Sequence, residues 1–210
     1  MPGCSYFVGN TFAHLFGGLA LTAISTENAA IKDMSKKPFS YIAMALATFL
    51  VLLVTLVLDA GFTKYAMFGA FCILVGQLLS GFVGKLQTEK TLFSTLIILG
   101  SIFVTMMFLG FSDKGNMLPY GTYLTAGLIG LIVSMILTAI FVRDEKEAET
   151  VHLWLSRVVV ILFTLFLAYD VQVLKEHAKA CKSNPDYVQE SLGLYLDIIN
   201  LFQGVGDLNK

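Results

Sequence analysis

Charge is what this chain has least of. Charged residues are 14% of its 210 positions, against about a quarter in soluble domains. They nearly cancel to a net −1, and no basic cluster emerges, which argues against nucleic acid as a partner. Cysteine is also scarce. Cys4, Cys72 and Cys181 are odd in number and far apart, so neither a disulfide framework nor a zinc site is expected. No Asn-x-Ser/Thr string marks a glycosylated loop. The opening residues Met1 to Tyr6 lack the basic stretch of a signal peptide, so the first apolar segment is expected to stay in the mature protein.

What is present is apolar sequence in long blocks, 56% hydrophobic overall, with the few charges confined between the blocks. That pattern predicts one all-α domain spanning 1–210, a polytopic membrane protein in contact with lipid. Seven segments are expected to be helices, at about 7–24, 41–58, 65–83, 91–111, 123–142, 151–174 and 187–205. Small residues at four-residue spacing, Gly76, Ser80 and Gly84 on the third and Ala126, Gly130, Ser134 and Thr138 on the fifth, predict close helix contact. The charged run 143–150 reads as an amphipathic continuation of the fifth helix. Five Lys/Arg lie in loops on the N-terminal side and eight on the other, which votes for a cytoplasmic C-terminus.

The sixth and seventh segments carry the chemistry. Asn184-Pro185 breaks the chain between them, so they are expected to run antiparallel. Asp170 and Asp197 are equally far from a turn centred between Ser183 and Asn184, roughly 20 Å of helix away. Two carboxylates at one depth inside apolar sequence point to function, because each alone is costly there. Close together they titrate as a unit, and a divalent cation would favour both charged forms. The plainer alternative puts Asp170 at the membrane edge and has Asp197 bonding a neighbouring helix.

His177 and Glu190 share a level nearer the turn, either as a pH-sensitive contact or as a solvated pair. Asn200 lies one turn from Asp197, to orient it or to bond across helices. His14 reads as a packing residue. Arg157 is too far along its helix from Asp170 to pair with it.

At Ala168-Tyr169-Asp170 and at Leu194-Tyr195-Leu196-Asp197-Ile198-Ile199-Asn200-Leu201-Phe202 the sequence resembles the Bax inhibitor-1 family. The stretch from Phe12 to Ala23 is similar to that family's first helix. The resemblance implies a seven-helix bundle with the last helix central. It implies a pH-sensitive calcium leak channel or calcium/proton exchanger, with Asp170 and Asp197 as an aspartate pair sharing a proton. From their own positions on the two helices, and not from the resemblance, Tyr169, His177, Glu190 and Asn200 are expected to support the pair.

On that reading calcium is the transported ion, held transiently by the pair, protons are the second partner, and no cofactor is tightly bound. The membrane would be endoplasmic reticulum or Golgi in a eukaryotic or viral setting, with a link to suppression of cell death, and the cytoplasmic membrane in a bacterium. Family members carry an arginine near the end of the second helix that latches onto the pair. Here Lys64 is the only basic candidate.

An intramembrane aspartyl protease is the catalytic alternative, but its Gly-x-Gly-Asp string is replaced by bulky Leu194-Tyr195-Leu196 before Asp197. No enzyme is expected. A non-transporting structural or regulatory membrane protein is the third reading.

Overall fold

The computed structural model of the chain describes residues 6–27, 38–112, 115–180 and 185–210. Cys4 and Cys181, the loop lysines Lys32, Lys36, Lys37 and Lys114, and the turn centre at Ser183 and Asn184 lie outside the described residues. Seven α-helices and one short 3-10 turn, Leu118–Tyr120, make up the described structure, with no strand among those residues. The helices are α1 (Phe7–Thr26), α2 (Pro38–Val57), α3 (Phe62–Thr88), α4 (Leu92–Phe111), α5 (Gly121–Phe141), α6 (Glu145–Ala180) and α7 (Tyr187–Leu208). Helices α1, α3, α4, α5 and α6 are long and apolar enough to cross a membrane, and the described part of α2 is a shorter apolar helix. This is an all-helical, multi-pass membrane protein. Phe108 and Phe141, more than 70% exposed, are the kind of side chain that lipid rather than water covers.

The charged run 143–150 corrects its sequence reading. It does not extend α5, because Val142 turns extended at φ −87° and ψ 111°. Asp144 then caps α6, its Oδ1 accepting the backbone amides of Lys146 at 3.0 Å and Glu147 at 3.1 Å. Glu145 and Glu147 in the first turn favour the positive end of the helix dipole. Helix α6 therefore runs for 36 residues.

Two compact units are distinguishable, and α6 and α7 contribute to both. The first comprises residues up to Thr88 with His177–Tyr195. Within it α1 and α3 pack closely at two glycines. A Cβ on Gly76 would overlap the Thr22 carbonyl oxygen, and one on Gly18 would meet the Phe68 ring at 2.9 Å. Tyr195, fully buried, meets Phe68 and Phe71 edge-on at 5.9 and 5.7 Å between ring centres. Its hydroxyl lies 2.6 Å from Thr22 Oγ1. Because the Thr22 proton is directed at the Gly18 and Cys72 carbonyls, both 3.0 Å away, Tyr195 is the donor. A buried phenol thus finds its partner on α1.

The second unit comprises Glu89–Glu176 with Leu196–Lys210. Gly204 of α7 brings that helix against Val159 and Val160 of α6. At the chain end, Asn209 donates to Ser94 Oγ at 2.7 Å and to Thr95 Oγ1 at 3.0 Å.

The small-residue ridges hold only in part. Gly76 packs as expected, but nothing lies within 4 Å of where a Cβ on Gly84 or Gly130 would be. Ala126, Gly130 and Ser134 are exposed. Ser134 and Thr138 satisfy their hydroxyls on the carbonyls one turn back, at 2.8 Å. Such back-bonding lets a hydroxyl sit on a lipid-facing surface with no partner helix.

Candidate functional site

Helix α7 is the most enclosed element, and the site is built on it. Val188, Leu192, Leu194, Tyr195, Leu201 and Val205 are all buried, although they point in different directions around the helix. By contrast, only Leu124 and Leu131 are buried on α5. A helix buried over most of its surface can carry, on its buried part, a carboxylate that lipid would not tolerate.

Asp197 occupies such a position, 4% exposed, in the second unit. Its Oδ2 is buried and accepts no hydrogen bond from any described residue. Asp170 of α6, half-buried and in the same unit, is its charged neighbour. A buried carboxylate oxygen without a donor is costly as a bare anion. A proton can satisfy it, and so can a cation.

In the first unit the counting rule for antiparallel helices places His177 beside Glu190, and the contact is there. His177 Nδ1 lies 2.8 and 3.0 Å from the two Glu190 oxygens, with His177 43% exposed. Protonating the imidazole turns this hydrogen bond into an ion pair. Farther from the turn the rule drifts, since Gly204 packs on Val159 and Val160 rather than on Phe163, the residue at its own count.

Other expected residues play smaller or different parts. Asn200 donates to the Leu196 carbonyl of its own helix at 2.8 Å, and no bond to Asp197 or to another helix is seen among the described residues. A mid-helix amide finds that acceptor one turn back without any tertiary partner. The Tyr169 ring lies against Gly121. His14 bonds the Asn10 carbonyl at 2.8 Å and stacks on Tyr65 and Tyr187, a packing role. Arg157 covers the Trp154 ring at 4.7 Å.

Lys64, the basic candidate for a latch, has three partners in the first unit: Asp186 Oδ2 at 2.6 Å, the Leu58 carbonyl at 3.0 Å and Gln189 Oε1 at 3.3 Å. Nothing in the local sequence signals that Lys64 is buried, because its partner Asp186 lies far away in the chain. Two further residues escaped it. Asp207 accepts from His152 at 3.1 Å and Ser156 at 3.4 Å, at the margins of the segments the apolar pattern defined. Gln172 is 7% exposed, and its one visible signal was an amide in an apolar run.

No group of three or more His, Cys, Asp or Glu side chains able to hold a metal occurs among the described residues.

Comparison with known proteins adds to this geometry. Residues 4–205 match the family model described as "Inhibitor of apoptosis-promoting Bax1". An uncharacterized protein of Borreliella burgdorferi is 28% identical over 209 residues, covering 93% of this chain and 88% of that relative. Inner membrane protein YbhL of Escherichia coli is 24% identical over 215 residues, covering 95% and 89%. Protein lifeguard 3 of Homo sapiens is 29% identical over 136 residues, covering 62% of this chain and 43% of the relative.

Proposed function

The chain belongs to the Bax inhibitor-1 family, and from that premise we propose that it forms a pH-sensitive leak path for calcium, gated by Asp170 and Asp197. The observation that carries this reading is the enclosed Asp197 oxygen without a hydrogen-bond donor, beside a second carboxylate.

With one proton shared between them, the two groups bear a single charge and offer a poor site to a divalent cation. Once the proton leaves, two hard oxygen ligands face each other and Ca²⁺ competes for them. Two side chains are too few to retain the ion, so it moves on down its gradient. Calcium is cargo here and protons are its competitor. If each calcium instead drives protons the other way, the same pair works as an exchanger. In a eukaryotic or viral setting the membrane would be that of the endoplasmic reticulum or Golgi, and draining calcium there would bear on cell death. In a bacterium it would be the cytoplasmic membrane, in keeping with the relative named an inner membrane protein.

The test is a leak assay. Purified protein in liposomes should release trapped Ca²⁺ faster than empty vesicles, with a rate that changes between about pH 6 and about pH 8. Equal release with and without protein across that range would overturn the reading. Loss of a specific cleavage product in Asp197→Asn cells, with flux unchanged, would favour an aspartyl protease instead.

A further inference from the structure

The stretch Ala168 to Gln172, with Asp170 at its middle, is held from one side by the connection between α4 and α5. Three contacts, all in the second unit, make this hold. At the end of α4, Gly110 lies so close to α6 that a Cβ would stand 2.5 Å from Val171 Cγ1 and 3.1 Å from the Ala168 carbonyl oxygen. At the start of α5, Gly121 meets the Tyr169 ring, and a Cβ there would be 2.6 Å from the hydroxyl. Between these two points Gln172 uses both ends of its carboxamide. Nε2 donates to the Gly115 carbonyl at 2.7 Å, and Oε1 accepts from the Met117 amide at 2.6 Å. Gly115 has φ +116°, a backbone shape that side chains disfavour, and its carbonyl there meets Gln172.

Among the described residues of this connection, Ser112, Gly115 and Asn116 line a polar cavity of about 180 Å³ together with Gln172 and Glu176 of α6. Lys175 adds one exposed bond, to the Phe111 carbonyl at 3.0 Å. Gln172 is therefore the buried hold across the middle of the gap.

Helix geometry gives this hold a consequence. Two residues along an α-helix rotate the side chain by about 200°, so Asp170 faces nearly opposite to Gln172. A clasp on the back of α6 fixes the rotation of its front. We propose that Gln172 is a positioning residue for the aspartate gate: by clasping the α4–α5 connection it sets the direction in which Asp170 meets Asp197. The inference rests on the gate reading above and deepens it. Among the described residues, Asp197 of α7 and, toward the connection, Lys175 and Glu176 of α6 are charged groups near this stretch. Gln172 itself is uncharged, so replacing it adds and removes no charge.

Gln172→Met keeps the volume and removes both hydrogen bonds. Calcium flux against pH is measured in liposomes for wild type, Gln172→Met, Asp170→Asn and the double variant. Amide hydrogen exchange at Met117 is measured on wild type and Gln172→Met. The clasp predicts faster Met117 exchange in Gln172→Met and a flux midpoint displaced by about half a pH unit or more. It also predicts that Gln172→Met shifts nothing further once Asp170 is Asn, because its effect runs through that carboxylate. A flux profile superimposable on wild type, or unchanged Met117 exchange, overturns the inference while leaving the gate intact. A wild type without pH-dependent flux overturns the gate reading itself, and the positioning role with it.

Discussion

Lys64 and Asp197 are both enclosed, and they differ in what meets their polar atoms. The Lys64 ammonium has three protons and three acceptors, on Asp186, Leu58 and Gln189. Through Asp186, whose other oxygen accepts the Gln189 amide at 3.0 Å, it ties the end of α2 to the cap of α7. Such a group is structural, because every alternative state leaves something unsatisfied. Lys64→Met strands the Leu58 carbonyl and the Asp186 carboxylate, at a cost of about 3 kcal/mol. That is the low end for a buried pair, since Asp186 is 27% exposed. The expected outcome is a clearly lowered thermal midpoint in detergent, with a smaller loss for Asp186→Asn, whose side-chain oxygen still accepts. An unchanged midpoint in Lys64→Met would contradict this account. Asp197 is the converse, since its buried Oδ2 accepts from no described residue, and a group in that condition is available for chemistry.

Helices are where sequence and structure can be compared most closely. Seven blocks were legible as helices, and five of those helices are long and apolar enough to cross a membrane, since lipid demands about 20 apolar residues per crossing. The equal-depth counting of α6 and α7 also found the His177–Glu190 contact, close to the turn where counting errors are small. What could not be read was which face of a helix meets protein. Gly76, Gly84 and Gly130 look alike in sequence, and only Gly76 lies against a backbone. Gly76→Leu should therefore abolish folded, monodisperse protein by driving α1 from α3, whereas Gly84→Leu and Gly130→Leu should purify like wild type. Size-exclusion profiles after detergent extraction check this, and equal behaviour of all three would refute the packing described here. Gln172 and Lys64 stayed hidden for a related reason. Their partners are backbone and side-chain groups distant in the chain, which no local spacing reveals.

For the molecule as a whole, the membrane-crossing helices set the environment and α7 carries Asp197 of the proposed gate. Helices α4 and α5 are largely exposed and apolar, as a lipid-facing surface requires, while α7 is buried enough to hold an acidic residue that would be expelled elsewhere. The central claim is that Asp170 and Asp197 act as one unit through a shared proton. Calcium flux against pH, measured in liposomes for wild type, Asp170→Asn, Asp197→Asn and the double variant, addresses it most directly. If the two carboxylates share one proton, both single variants move the flux midpoint in the same direction. The double variant loses the response, and the effects are strongly non-additive. Independent, additive shifts, or a double variant that keeps the wild-type midpoint, would contradict it.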